Sequence, residues 1–142
     1  MEVIRAAGVT DELVAAFGRL MPLLNDSPAP TRDELVEIIR TGHLYVARDP
    51  AHGSAIVGVL TLTLYRIPTG LSARIDDVIV ATEARGRGIG EALTRAAIEH
   101  ARTAGARAVN LTSHPRREAA NRLYQRLGFE RRETNTYVYK LR

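Results

Sequence analysis

The sequence predicts one α/β domain, residues 1–142, with a mixed and mostly antiparallel sheet that carries helices on both faces. Three β-rich runs, at 43–49, 55–65 and 72–81, follow one another with turn residues between them, a pattern typical of an antiparallel meander. Two helical segments precede these runs, and an alternation of strand, helix and strand follows them. A length of 142 residues with 45% hydrophobic residues suits one compact domain with its own core.

The first half of the chain predicts a short strand and two amphipathic helices. The strand covers residues 2–7. The first helix begins after Thr10 and carries apolar residues at helical spacing: Leu13, Val14, Phe17 and Leu20. Thr31 is a suitable N-cap for the second helix, which lies within residues 32–42 and stops at Gly42. Both helices can therefore cover the sheet with an apolar face.

The second half predicts two further helices and three short strands. An amphipathic helix runs from about residue 88 to residue 104, and another helix covers residues 115–128. A strand at 107–113 lies between them, and FERRE (129–133) and TYVYKLR (136–142) are predicted as a terminal pair of strands. The strand, helix, strand crossover implies one parallel pairing, which makes the predicted sheet mixed.

Composition excludes several kinds of site. The chain has no cysteine, so disulfides, thiolate metal sites and a cysteine nucleophile are all absent. Its four histidines lie far apart in sequence without the spacing of a metal-ligand pair, so we expect no metal. No apolar run approaches the ~18 residues of a membrane span, and the N-terminus lacks the apolar core of a leader peptide. The sequence therefore predicts a soluble, cytoplasmic protein with no membrane partner.

Positive charge is concentrated in the second half of the chain. The formal net charge is +4, and residues 85–132 contain 11 arginines against 4 acidic residues. This imbalance favours an anionic partner. We do not expect nucleic acid, because no basic run is interleaved with aromatic residues and the chain has only 5 Tyr and 2 Phe. Most of these arginines are expected on solvated helix faces, with Arg85 and Arg87 as exceptions because they lie among glycines.

The stretch ARGRGIGEAL, residues 84–93, places Gly86, Gly88 and Gly90 at alternate positions just before a predicted helix. Glycine permits positive φ and close approach of a ligand, and a helix N-terminus carries about half a positive charge. A phosphate group fits such a site. The spacing differs from the P-loop pattern GxxxxGK and from the dinucleotide pattern GxGxxG. For the glycines taken alone, an ordinary glycine-rich turn is the alternative.

The residues around the glycines resemble a known motif. Arg85, Gly88 and Gly90 have the form RxxGxG, and with the preceding strand DDVIVATEA they resemble the acyl-CoA pyrophosphate motif of the GNAT superfamily of N-acetyltransferases. The predicted order of elements is similar to the fold of that superfamily. The segment EAANRLYQRLGFERRE is similar to its C-terminal helix and strand, with Tyr124 at the usual tyrosine position. The resemblance extends over nearly the whole chain.

The resemblance implies a site for acetyl-CoA between the strands IDDVIV and VNLTS. It implies that backbone groups pair with the pantetheine arm as with an added strand, at Val78, Ile79 and Val80. It also implies that loop amides hold the pyrophosphate: Arg85, Gly86, Arg87, Gly88, Ile89 and Gly90. Many relatives carry an asparagine seven residues before the tyrosine, whereas this chain has Arg117 there and Asn121 three residues before it. Either residue is a candidate contact to the cofactor.

Acyl transfer to an amine needs an acceptor for the amine proton, donors for the oxyanion and a proton for the leaving thiolate. Asp76 and Asp77 are the candidate acceptors, and IDDV is similar to the acidic strand motif of the glucosamine phosphate N-acetyltransferases. Alternation along a strand places the two acids on opposite faces unless a bulge intervenes. A solvated acid or an ion pair with Arg74 is the alternative for either one. The strand amides near Val78 and Ile79 are candidate oxyanion donors.

Tyr124 is the candidate donor to the thiolate, and a core tyrosine is the alternative. The reaction that the resemblance implies is direct transfer of acetyl from acetyl-CoA to a primary amine, without a covalent enzyme intermediate. The acceptor is either a small molecule or a protein lysine or N-terminus. A second hypothesis is a sensor or interaction module that keeps the acyl-CoA site without turnover. A homodimer, often seen in the superfamily, is a further expectation.

Overall fold

The structure, a computed structural model, describes residues 1–142 and contains two compact units, Met1–Thr112 and Ser113–Arg142. The strands of the first unit are β1 (Glu2–Arg5), β2 (His43–Asp49), β3 (Ala55–Ile67), β4 (Gly70–Val80) and β5 (Val109–Asn110). Its helices are α1 (Asp11–Leu20), α2 (Arg32–Thr41) and α3 (Ile89–Ala104), with short 3-10 turns at Met21–Leu23, Pro50–His52 and Thr82–Ala84. The second unit contains α4 (Glu118–Arg126).

The five strands form one sheet in the order β1-β2-β3-β4-β5. The pairings of β1 with β2, β2 with β3 and β3 with β4 are antiparallel, whereas β4 and β5 are parallel. The parallel pairing arises because α3 carries the chain back to the start of β4 before β5 begins. The predicted fold class, a mixed and mostly antiparallel sheet, is therefore confirmed.

Helix α3 packs on the sheet face that carries His43, Tyr45 and Gly58. The ring of His100 in α3 lies 4.3 Å from the ring of His43, and its Nδ1 lies 2.7 Å from the Tyr45 hydroxyl. The apolar stripe predicted for this helix is buried: Ile89, Leu93, Ala97 and Ala101. α3 is the longest helix, with 16 residues, and none of the helices combines the length and apolar content needed to cross a membrane.

Helices α1 and α2 cover the opposite face of the sheet. Successive residues of a strand alternate between faces, so Leu44 and Val46 of β2 point away from α3. These two side chains are only 1% and 3% exposed, and α1 and α2 contact β3 and β2. The side chain of Thr31 caps α2, as predicted, and that of Thr10 caps α1. Helices therefore lie on both faces of the sheet.

The predicted pair of terminal strands is wrong. Residues 129–142 form no helix or strand, and Tyr137, Tyr139 and Leu141 are each 88% exposed. The β-branched and aromatic residues of TYVYKLR favour a pleated, half-buried surface, but a strand forms only where a neighbouring strand supplies hydrogen bonds. Local preference alone does not provide that partner.

Helix α4 lies within the range predicted for it, 115–128.

Candidate functional site

The glycine loop, Arg85–Gly90, follows β4 and the turn Thr82–Ala84, and its last two residues are the first two of α3. Gly86 and Gly88 have φ angles of +78° and +79°, in the left-handed region that glycine tolerates best. A Cβ atom built on either glycine would meet no other atom within 4 Å. The loop backbone therefore borders open space, and a ligand can approach it closely.

The N-terminus of α3 has no side-chain cap. Its N-cap residue is Gly88, which offers no oxygen to the amides of the first turn, whereas threonine side chains cap α1 and α2. Uncapped amides and the helix dipole favour an anion at such a position. A glycine-rich loop that leads into an uncapped helix N-terminus is an arrangement that suits a phosphate group.

The two arginines of the glycine loop have different partners. The exposed Arg85 donates from Nε to the carbonyl of Val80, 3.3 Å away. Arg87 forms an ion pair with Asp49 at the end of β2, with 3.4 Å between Nε and Oδ2. Sequence reasoning did not single out Asp49, because it lies 38 residues from Arg87 and no local pattern connects the two.

Strand β4 is unpaired along most of the edge that faces β5. The register between the two strands ends at the pair of Arg74 and Asn110, and the Asn110 Nδ2 donates to Ser72 Oγ at 3.2 Å. From Ile75 to Val80 no strand lies beside this edge of β4. The residues predicted to pair with the pantetheine arm lie in this stretch: Val78, Ile79 and Val80. An extended ligand can pair with such an edge.

A β-bulge lies at the two adjacent acids. The register of β3 with β4 shifts between Val59 and Thr61, so Asp77 and Val78 of β4 stand opposite a single residue of β3. Asp77 has a φ angle of +51°, which is rare for a residue other than glycine. The two acids were expected on opposite faces of the sheet unless a bulge intervened, and a bulge is present at this position. It redirects the side chains and amides of β4 inside the unpaired stretch.

Asp76 forms an ion pair with Arg74, the alternative that the sequence left open. The Arg74 Nε lies 3.1 and 3.2 Å from the two carboxylate oxygens. The Asp76 side chain is 40% exposed. Its cross-strand partner is Thr61, on the sheet face that α1 and α2 cover. The carboxylate is thus both paired and accessible to a ligand.

In the second unit, Asn121 organises the loop before α4. Its Nδ2 donates to the carbonyls of His114 and Arg117 at 2.9 and 2.8 Å, which engages both amide hydrogens. Arg117 is the exposed N-cap residue of α4. Of the two candidate contacts to the cofactor, Arg117 therefore presents a charged donor to solvent, while the amide nitrogen of Asn121 supports the loop.

Tyr124 is half-buried in the second unit. Its ring packs edge-on against Phe129, with 5.7 Å between the centroids, and its carbonyl accepts a hydrogen bond from the Phe129 amide. Burial raises the pKa of the Tyr124 phenol, an effect that the Arg117 guanidinium opposes only in part. The phenol is therefore protonated at neutral pH and can donate a hydrogen bond or a proton.

The predicted site residues are distributed over both units. Asp76–Val80 and Arg85–Gly90 are successive parts of the first unit. The other three belong to the second unit: Arg117, Asn121 and Tyr124. No group of three or more His, Asp or Glu side chains is arranged to hold a metal ion.

The sequence matches the acetyltransferase (GNAT) family over residues 10–129. It is 31% identical over 121 residues to glucosamine 6-phosphate N-acetyltransferase 1 of Oryza sativa subsp. japonica, covering 83% of this chain and 72% of the rice protein. It is 44% identical over 61 residues to an uncharacterized N-acetyltransferase of Methanocaldococcus jannaschii. That match covers 43% of this chain and only 27% of the archaeal protein.

The fold is also that of a solved acetyltransferase. The crystal structure of a Trypanosoma brucei acetyltransferase superposes with a TM-score of 0.75 and 24% identity, covering 98% of this chain and 100% of that one. The family match includes most of the first unit and continues through α4 of the second. The chain belongs to the GNAT acetyltransferase family.

Proposed function

We propose that the protein is an N-acetyltransferase that moves the acetyl group of acetyl-CoA to a primary amine by direct attack. The observation that carries this proposal is the glycine loop, whose open backbone and uncapped helix end follow directly on the unpaired edge of β4. Membership of the GNAT family supports the same class of reaction. We also propose that residues 1–142 act as a single catalytic domain, since the family match runs over residues 10–129 and so includes parts of both units.

The glycine loop fits the pyrophosphate of the cofactor. Positive φ at Gly86 and Gly88 and the open space beside them leave room for phosphate oxygens at the backbone. The amides of the first turn of α3, including those of Ile89 and Gly90, then donate to the anion. The exposed side chains of Arg85 and Arg117 are candidates for further contacts with the negative charge.

The unpaired stretch of β4 fits the pantetheine arm. The arm contains two amide groups, and an extended ligand with amides can add to a sheet edge as a strand does. Val78, Ile79 and Val80 provide the backbone groups for this pairing. Since the same stretch leads through Thr82–Ala84 into the glycine loop, the arm and the pyrophosphate would bind to consecutive parts of the chain.

The site residues divide the chemistry between them. The acetyl thioester supplies an activated acyl group. A carboxylate at the bulge, Asp76 or Asp77, takes one proton of the acceptor ammonium group. The free amine then forms the new C–N bond as the C–S bond breaks, and its nitrogen releases a second proton to water as the amide forms. Amides near Val78 and Ile79 donate to the carbonyl oxygen as it gains charge. The Tyr124 phenol donates to the departing sulfur.

The backbone favours Asp77 over Asp76 as the proton acceptor. A non-glycine residue at positive φ is strained, and such strain is concentrated at functional sites. Asp77→Asn should therefore lower turnover more than Asp76→Asn, and the pH profile of kcat should lose its acidic limb only in the first variant. The opposite ranking would assign the role to Asp76.

The acceptor is the least constrained part of the proposal. The rice relative is named for glucosamine 6-phosphate, and its match covers 83% of this chain, so amino sugar phosphates are the first acceptors to assay. Other small amines and peptide lysines or N-termini follow. Release of free thiol from acetyl-CoA, measured against this panel, tests the proposal. Binding of CoA without thiol release on any amine would instead identify a binding module without turnover.

A further inference from the structure

Asp49 is a buried carboxylate outside the residues assigned to the reaction. It is the last residue of β2 and is only 2% exposed. Its Oδ1 accepts from the amide of Ala51 at 3.0 Å, and its Oδ2 lies 3.1 Å from the His52 Nδ1. Burial alone would raise the pKa of Asp49. The two hydrogen bonds and the positive charge of Arg87 together outweigh burial, so the pKa is lowered and the carboxylate is ionised at neutral pH.

The remaining partner of this carboxylate is the glycine loop. Arg87 stands between Gly86 and Gly88 and places Nε 3.4 Å from Oδ2 and Nη2 3.5 Å from Oδ1 of Asp49. Both glycines have wide conformational freedom, so the loop needs an external constraint to hold a single conformation. The ion pair supplies one, because it connects the glycine loop to the end of a paired strand.

We propose that Asp49 is a positioning residue for the cofactor, acting through Arg87. The guanidinium contacts Asp49 through two nitrogens, so in this proposal Arg87 contributes its backbone amide to the phosphates and its side chain holds the loop in place as a brace. Loss of the brace releases the loop from its binding conformation. This inference rests on the proposed function, since it concerns the same phosphate site.

A direct role of the Arg87 side chain as a phosphate ligand predicts the opposite response to a change at Asp49. If Arg87 bound phosphate through its guanidinium, Asp49→Asn would release that group and leave CoA affinity unchanged or improved. If Asp49 braces the loop, Asp49→Asn weakens binding by about 10-fold, the size of coupling expected between groups in contact. Asp49→Ser is a second variant for the same test. Asparagine and serine at position 49 both keep a side-chain oxygen that can accept a hydrogen bond from the Ala51 amide.

The test is a double-mutant cycle on the dissociation constant of CoA, with Asp49→Asn, Arg87→Met and the pair together. We expect each single variant to bind about 10-fold more weakly and the double variant to bind no worse than either one. Additive losses, or unchanged binding by both Asp49→Asn and Asp49→Ser, would overturn the inference. Glu12→Gln is the matched control, because it removes the ion pair of Glu12 with Arg48 without touching the loop.

A phosphate-free substrate separates positioning from general loss of structure. With acetyl-pantetheine, the Asp49 variants should react with the parent's kcat/KM, whereas with acetyl-CoA their KM should rise and their kcat stay close to the parent value. Equal losses with both substrates would mean that Asp49 only supports the fold. A parent protein that neither binds CoA nor releases thiol would overturn the proposed function itself, which distinguishes that failure from this one.

Discussion

A methyl group on Gly58 of β3 would lie 3.0 Å from Cγ2 of Ile89, the first residue of α3. It would also lie 3.1 Å from Cδ1 of Leu93, one turn further along. Gly58 therefore allows the helix that follows the glycine loop to approach the sheet closely. The packing of the core and the position of the glycine loop, the proposed phosphate site, depend on the same contact.

Gly58→Ala should destabilise the protein. The added methyl overpacks the contact with α3, which typically costs about 1–3 kcal/mol. Chemical unfolding measures the change. Gly18→Ala is the control, because Gly18 is an exposed residue of α1 with no atom within 4 Å of its built Cβ. That substitution should stabilise by about 0.5–1 kcal/mol through helix propensity. Equal stability of the Gly58→Ala variant and the parent would show that α3 adjusts without cost.

Gly88→Val should abolish stabilisation by acetyl-CoA while the fold is retained. The β-branched side chain occupies the open space of the loop and is strained at positive φ, by about 1–2 kcal/mol. Thermal unfolding with and without acetyl-CoA measures the effect. Gly105→Val controls for strain, because Gly105 has a φ of +87° and open space but lies at the other end of α3. A cofactor response retained by the Gly88 variant would identify the loop as an ordinary turn.

The cluster of His43, Tyr45 and His100 should make stability sensitive to mild acid. Burial lowers the pKa of both histidines below the ordinary value of 6.5, with a smaller contribution from the charge of Arg5. The His43 Nδ1 is buried without a hydrogen-bond partner. The unfolded chain therefore takes up protons at a higher pH than the folded one, and stability falls as pH decreases below about 7.

Urea unfolding between about pH 7 and pH 5 measures this dependence, a range above the titration of most carboxylates. Stability should decrease steadily across it in the parent. Replacing both histidines, His43→Gln with His100→Gln, should flatten the slope even if it lowers stability overall. A slope that survives the double substitution would place the responsible groups elsewhere.

Tyr124→Phe should reduce turnover by roughly 10² to 10⁴, the usual contribution of a positioned proton donor. The ring and its packing against Phe129 are kept, so stability and affinity for CoA should change little. Because burial raises the pKa of this phenol, donation of a hydrogen bond to the developing thiolate is favoured over complete proton transfer. Single-turnover kinetics measure the chemical step. An equally fast step in the variant would make Tyr124 a packing residue.

The fold could be predicted because each element carries its own local signal. The threonine caps of α1 and α2, the buried stripe of α3 and the three consecutive β-rich runs need no distant contact to be recognised. The terminal segment could not be predicted in this way. Tyr137 and Tyr139 are residue types that strands favour, and both are exposed here. A strand forms only if a neighbouring strand edge is available, and the local sequence does not indicate whether one is.

The candidate site shows the same division. Gly86 and Gly88 taken alone also suit an ordinary turn, and the RxxGxG form that begins at Arg85 is what indicates a candidate ligand loop. The bulge at Asp77 depends on the register between β3 and β4, and the brace between Asp49 and Arg87 depends on tertiary packing. No local sequence pattern indicates either the β-bulge or the ion pair. Sequence reasoning could therefore name the loop and the two acids as candidates, but it could not find the β-bulge at Asp77 or the buried Asp49 that contacts Arg87.

Binding of acetyl-CoA is tested most directly by the melting temperature of the unmodified protein in rising concentrations of the cofactor. A ligand that binds only the folded state adds about 2.7 kcal/mol of stability at 100 times its dissociation constant. The melting temperature should therefore rise progressively with acetyl-CoA and should rise much less with pantetheine, which lacks the phosphates. An unchanged melting temperature at millimolar acetyl-CoA would contradict the assignment of the glycine loop as its binding site.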